Sequence, residues 1–434
     1  MTTIVDRTLD QLAQIEAEDA AYNSFLRLYP ETAKREAEAA DARVELGTMI
    51  GALDGFTVAV KDNLAVSGAP WTAGIGGRSK VIAQGDSTVV TRMRAAGAII
   101  LGSTNMEEAA LGSVTDNPVF GRCMNPLMPG YTPGGSSGGS GAAVAAGFAD
   151  LALGTDTMGS VRIPAAYCGV FGLKPTYGLI GMGGVVPLAP SLDTVGPLAR
   201  DVTLLWPTVQ ALAGIDDLDP NSRPAPKDWH KRTTRVDLSG LTFGVPKHVM
   251  NVDCEPAILM GLDVARAMIK DLGGTVIDID LAGWVPDLDR RAGLLIIEAE
   301  GAVALSDLMD VDGALSPHLH GLLDYGRRLS SSKLVQAYGR ARVMAAAVDR
   351  AFLHVDGLLL PSAPQRAFPH SSALPKDQAA FMSLANFSGC PAIALPVPLA
   401  GEVLPASVQI LGPRWSEARL TNWAEILAPA LADL

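Results

Sequence analysis

Residues 134–160 read GGSSGGSGAAVAAGFADLALGTDTMGS. Two loops dense in glycine and serine, 134–140 and 158–160, flank an apolar run. Glycine tolerates positive φ and lets backbones approach closely, so the loops can meet at one point if the run between them folds back. Backbone N–H groups around Met158–Ser160 would then aim at a single oxygen, which is the geometry of an oxyanion hole. A serine nucleophile there also needs a base. The first histidine is His230, so no imidazole precedes it. Lys61 directly follows the apolar run Phe56–Val60 and opens the triplet KDN. These residues read as a serine hydrolase that uses lysine as its base.

Rival readings of the glycine loop fit less well. A phosphate-cradling loop needs GxxxxGK[ST]. Gly134 and Gly139 have that spacing, but Ser140 stands where lysine should be. The GxGxxG dinucleotide fingerprint is absent. A flexible Gly/Ser linker would not run straight into AAVAAGFADLALG, which has to be packed.

The totals point the same way. The chain has 434 residues, of which 48% are hydrophobic and 18% charged, as expected of a large interior. Its net charge of −12 disfavours nucleic acid and anionic membrane as electrostatic partners. Cys123, Cys168, Cys254 and Cys390 show no CxxC pairing and read as free thiols in a reducing cytosol. The N-terminus has no signal-peptide pattern. The uncharged stretch 379–401 is broken by Gly389, Pro391, Pro396 and Pro398, which favours buried strands and turns over a membrane span. His318 and His320 lack a third ligand nearby, so no metal is expected. Cys168 reads as packing.

Outward from the loops, the periodicity predicts helix within 3–47, with Thr32 capping a second helix to about Ala42. Strands are expected at 56–60, 98–101, 151–153, 170–173, 241–245, 276–279, 357–360, 392–397 and 407–411. Helices are expected after Ser87, over 138–146 and 163–166, and over 256–272 and 333–352. The βαβ rhythm favours an α/β fold with one large mixed sheet covered by helices on both faces. Residues 215–238 read as a polar surface connection. One domain over 1–434 is preferred to two, with the second half more variable.

The block GGSSGGSGAAVAAG, followed by LALGTDTMGSVRIPAAYCGVFGLKPTYG, resembles the signature of the amidase signature family. The likeness extends to AVKDN (59–63), STNMEEAALGS (103–113) and SLDTVGPLAR (191–200). It is weaker in VDGLLLPSAP (355–364) and NFSGCPAIALPVP (386–398). The resemblance implies the family's fold and a Ser–cis-Ser–Lys triad of Ser160 as nucleophile, Ser136 as bridge and Lys61 as base. It also implies an oxyanion hole from the backbone of Thr157, Met158, Gly159 and Ser160, with Ser137, Asp156 and Arg162 in support. The family usually has glycine where this chain has Met158. A side chain there conflicts with positive φ or else narrows the acyl pocket.

The triad has its own physical condition. An exposed lysine, with a pKa of ~10.4, is charged at neutral pH and useless as a base. Burial would lower it, and Asp62 must point elsewhere. The main reading is a cytoplasmic amidohydrolase acting on a small carboxamide without cofactors, with a homodimer expected from family habit alone. The alternative is the glutaminase subunit of a tRNA-dependent amidotransferase. A third reading, a catalytically silent scaffold, rests only on Met158. Arg327, Arg328, Arg340 and Arg342 read as surface charges, with a clamp on a substrate carboxylate as the other option.

Overall fold

The computed structural model describes residues 2–231 and 234–432. Thirteen strands occur among them: β1 Phe25–Leu28, β2 Thr57–Lys61, β3 Ile99–Thr104, β4 Asp116–Asn117, β5 Gly121–Arg122, β6 Leu151–Asp156, β7 Phe171–Lys174, β8 Thr194–Ala199, β9 Thr242–Pro246, β10 Thr275–Ile279, β11 Gly357–Pro361, β12 Ala392–Val397 and β13 Ala406–Leu411. β4 and β5 form a small ribbon. The other eleven make one mixed sheet in the order β1-β3-β2-β6-β8-β7-β12-β13-β11-β9-β10. β2 pairs parallel with both β3 and β6, while β6 pairs antiparallel with β8. Strands from both halves of the chain share the sheet, as expected.

Side chains alternate across a strand, and this alternation divides the interior. Val58 and Val60 enter one hydrophobic core, whereas Ala59 between them enters another. Ile100 and Leu101 split in the same way. Both faces of the central strands are therefore dry, and apolar runs such as Leu151–Leu153 read as continuous rather than alternating.

The helix Gly138–Ala145 shows why its sequence is so small. Glycine lowers helix propensity, yet a Cβ on Gly139 would collide with the Asn105 carbonyl and sit 2.6 Å from that of Ser24. Close packing replaces propensity as the source of order.

Several expectations change. β1 interrupts the N-terminal helical region, and the second helix is Pro30–Leu46, longer than expected and begun by Pro30 rather than capped by Thr32. Proline suits the first helical turn because its missing N–H would be unpaired there anyway. The 215–238 segment is not simply a surface connection. Asp216 and Asp219 are buried and accept from the backbone N–H groups of Gly183 and Met182. Trp229 Nε1 donates to Glu417 at 2.7 Å. Most of the segment is exposed, as its polar composition suggests, but two of its carboxylates, Asp216 and Asp219, turn inward to backbone donors.

Candidate active site

Lys61 is the last residue of β2, a strand buried along its whole length. Its Nζ lies 2.7 Å from Ser136 Oγ and 2.8 Å from Thr155 Oγ1. Burial lowers its pKa from 10.5 to about 7, against the opposing pull of Asp193, Asp156 and Glu107. Asp62 does turn away. It pairs with Arg27 and accepts from Thr72. With its pKa at about 7, about half of Lys61 is neutral at pH 7, the form that can accept a proton.

Ser136 follows a cis peptide from Gly135 and is fully buried. The two glycine loops meet here: the Ser137 N–H donates to the Ser160 carbonyl at 3.2 Å. Ser137 Oγ donates to the Thr155 carbonyl at 3.2 Å, stitching the loop to β6. Ser140 binds the Leu153 carbonyl and Thr104, so it has a structural task. Ser160 retains 8% exposure, against none for Ser136.

The turn between β6 and the helix Arg162–Cys168 holds residues 157–161. Its left-handed residue is Gly159, at φ 107°. Met158 is not among the positive-φ residues, so its side chain carries no backbone penalty. That side chain is buried, with its sulfur against Gly293, beside Phe387. The conflict raised by Met158 resolves toward packing.

Gly159 departs from its expected place in the oxyanion hole. Its N–H donates to Asp156 Oδ1 at 2.7 Å. The N–H groups of Thr157, Met158 and Ser160 have no acceptor among the described residues, and these three remain available. Thr157 is itself anchored, its hydroxyl donating to Asp193 at 2.5 Å.

Asp156 and Arg162 form a fully buried ion pair at 3.0 Å. Burial alone would raise the Asp156 carboxyl, but Arg162, Asn386 and Lys174 together hold it well below the usual carboxylate range. Arg162 also donates to Gln409 at 2.8 Å and Asn386 at 2.6 Å. Both charges are thus hydrogen-bonded on several sides, which a buried charge needs. Both side chains are shut off from solvent, and Asp156 also accepts the Gly159 and Val161 N–H groups of the turn.

Asp193, Asn386 and Gln409 were not singled out from the sequence. Gln409 had one visible signal, as a lone long polar residue in the apolar run ASVQIL. Of the four arginines with two readings, Arg327, Arg328 and Arg340 are paired with Asp324 or Asp289. Cys168 is buried and its thiol is pushed up by burial, which fits packing.

The family model for amidases matches residues 6–421. The chain belongs to the amidase family. An amidase so defined cleaves amide C–N bonds, and this chain is an enzyme of that type. It is 34% identical to the A-type subunit of the glutamyl-tRNA(Gln) amidotransferase of Chloroflexus aurantiacus, over 97% of this chain and 94% of that protein. The corresponding amidotransferase chain of Anaeromyxobacter dehalogenans is also 34% identical, over 98% of this chain and 92% of that protein. Among solved structures, one match comes from a vestigial protein complex bearing on the origins of an s-triazine catabolic enzyme. It has a TM-score of 0.90 and 31% identity, covering 99% of this amidase and 95% of that chain. A peptide amidase bound to chymostatin matches with a TM-score of 0.88 and 27% identity, over 99% of this amidase and 94% of that chain. No described helix of this amidase is long and apolar enough to cross a membrane.

Proposed function

We propose that this amidase hydrolyses a small carboxamide through a serine acyl-enzyme and releases ammonia. The observation that carries this is a fully buried lysine with a pKa near 7, bonded at 2.7 Å to Ser136. Neutral Lys61 takes the Ser136 proton while Ser136 takes that of Ser160. Ser160 Oγ attacks the amide carbon, and the negative charge moves to the carbonyl oxygen. The N–H groups of Thr157, Met158 and Ser160 stabilise it. The relayed proton passes to the leaving nitrogen, the C–N bond breaks, and ammonia departs. Water then attacks the ester, with the same relay taking its proton, and Ser160 is restored.

A second reading is the glutaminase subunit of a tRNA-dependent amidotransferase. The names of the relatives favour it over a stand-alone enzyme, since they speak of a tRNA substrate and of membership in a larger assembly. Under this reading the expectation of no nucleic-acid partner fails at the level of the assembly. The net charge of −12 bears only on direct electrostatic binding by this chain.

One experiment separates the two. The purified chain is assayed for ammonia release from glutamine and from a panel of simple amides. Turnover of simple amides by the chain alone, lost in Ser160→Ala, supports the first reading. Activity confined to glutamine, and only with added partner subunits, supports the second. A fluorophosphonate that labels wild type and Ser160→Ala equally would overturn the nucleophile assignment.

A further inference from the structure

Glu107 follows closely on β3 and holds the bridging serine in two ways. Its backbone N–H donates to the Ser136 carbonyl at 3.1 Å. Its side chain reaches back to the loop 112–116, where Oε2 accepts the N–H groups of Thr115 at 2.6 Å and Val114 at 3.2 Å. Gly112 leaves room for the carboxylate, since a Cβ there would lie 2.6 Å from Glu107 Cδ.

The loop so held is the one that backs the Gly135–Ser136 peptide. A Cβ on Gly135 would lie 2.7 Å from the Val114 nitrogen and from the Ser113 carbonyl carbon, so the two segments are in close contact. Thr115 fixes the serine loop on both sides of Ser136. Its hydroxyl donates to the Gly134 carbonyl at 2.8 Å and accepts from the Gly138 N–H at 3.1 Å. A shift of residues 113–115 would therefore carry Ser136 with it.

The charge of Glu107 adds a second effect. The residue keeps some exposure, but burial of its carboxyl raises the pKa to about 7, against the pull of the Thr115 and Val114 N–H groups, with Asp116 adding to the rise. Once ionised, it favours the Lys61 ammonium, after Asp193 and Asp156. The other carboxylates nearby are committed. Asp62 pairs with Arg27, Asp116 with Arg122 and Asp156 with Arg162, while Asp193 accepts from Thr157.

We propose that Glu107 is a positioning residue of the proton relay, which seats Ser136 through the 112–116 loop and whose negative charge acts on Lys61. The proposal rests on the hydrolytic reading above and adds a residue to it. Two groups that titrate in one pH window influence each other, so removing the charge and removing the tie have different signatures.

The test has two independent arms. Glu107→Gln keeps an oxygen for both N–H groups and loses only the charge; Glu107→Ala loses the tie as well. Glu107→Gln is expected to keep the high-pH plateau of kcat within about twofold while its acid limb in kcat/KM moves to lower pH. Glu107→Ala is expected to lose at least about tenfold in plateau kcat with KM changed by less than about threefold, because Ser136 passes protons rather than holding the substrate. Thr115→Val, which removes the hydroxyl between the two segments, is expected to show the same loss and serves where Glu107→Ala does not fold. A wild-type plateau in the folded variants, or an unmoved limb in Glu107→Gln, overturns the proposal and leaves hydrolysis standing. The second arm needs no turnover. The ε-carbon resonance of Lys61, seen with carbon-13 lysine and assigned by its loss in Lys61→Met, is titrated in wild type and in Glu107→Gln. A lower midpoint in the variant supports the action of Glu107 on Lys61 even if no amide is cleaved, in which case only the hydrolytic reading fails. Equal midpoints overturn it.

Discussion

Lowering the pH from 8 to 6 is expected to reduce kcat/KM about tenfold, because the reaction needs Lys61 neutral and one unit of pH is a factor of ten in that equilibrium. With a pKa of about 7, Lys61 is roughly nine-tenths neutral at pH 8 and roughly one-tenth neutral at pH 6. The sign follows from burial: removing the ammonium from water penalises the charged form. Asp193, whose own pKa is raised by burial to about 6, pulls the other way by favouring the ammonium. Asp193→Asn should therefore shift the acid limb to lower pH. It should also lower the rate overall, because Thr157 loses its carboxylate anchor. The assay is ammonia release under subsaturating substrate from pH 5 to 9.5. A limb near 10, or a flat profile between 6 and 8, would refute the neutral-lysine argument. An unmoved limb in Asp193→Asn would refute the electrostatic part of it.

Three further outcomes follow from the same contacts. Lys61→Met should abolish turnover while raising thermal stability at pH 7, since a buried lysine held about 3.5 pH units below 10.5 costs roughly 5 kcal/mol at about 1.4 per unit; lost bonds to Ser136 and Thr155 offset part of this. A lower Tm in that variant would count against it. The cost is present at and below pH 7 and is relieved as pH rises toward 10.5, because the unfolded chain binds the extra proton there. Arg162→Met should destabilise by about 3–5 kcal/mol, as expected when one partner of a buried ion pair is removed, and urea midpoints would show it. Gly159→Ala should inactivate, because a Cβ there would lie 2.6 Å from Met382 Cγ at φ 107°; wild-type kcat with correct folding by circular dichroism would contradict the turn geometry.

Much of the site could be read from the sequence because its parts are local. Lys61 ends a strand, and Ser136, Asp156, Ser160 and Arg162 lie within 27 residues of one another. The glycines that let the loops converge are themselves visible. The supporting shell was less legible. Arg162 is satisfied by Asn386 and Gln409, 224 and 247 positions away, and local composition cannot say which distant polar group a buried cation will meet. The same holds for Asp193, whose role depends on which side of Thr157 the chain returns. Gly159 illustrates a finer limit: its place in the turn was clear, but not that Asp156 would take its N–H. β1 was missed because four residues between two helices offer no periodicity to detect.

The bond from Arg162 to Gln409 also ties the turn that bears Ser160 to the far end of the chain. β13, which carries Gln409, is the last strand of the sheet in chain order and lies between β12 and β11. A chain still short of residue 406 has every triad residue, and has Asp156 and Asn386 to hold Arg162, but lacks Gln409, the further side chain on that guanidinium. The guanidinium beneath the Ser160 turn is therefore satisfied on every side only once the last strand of the sheet has docked.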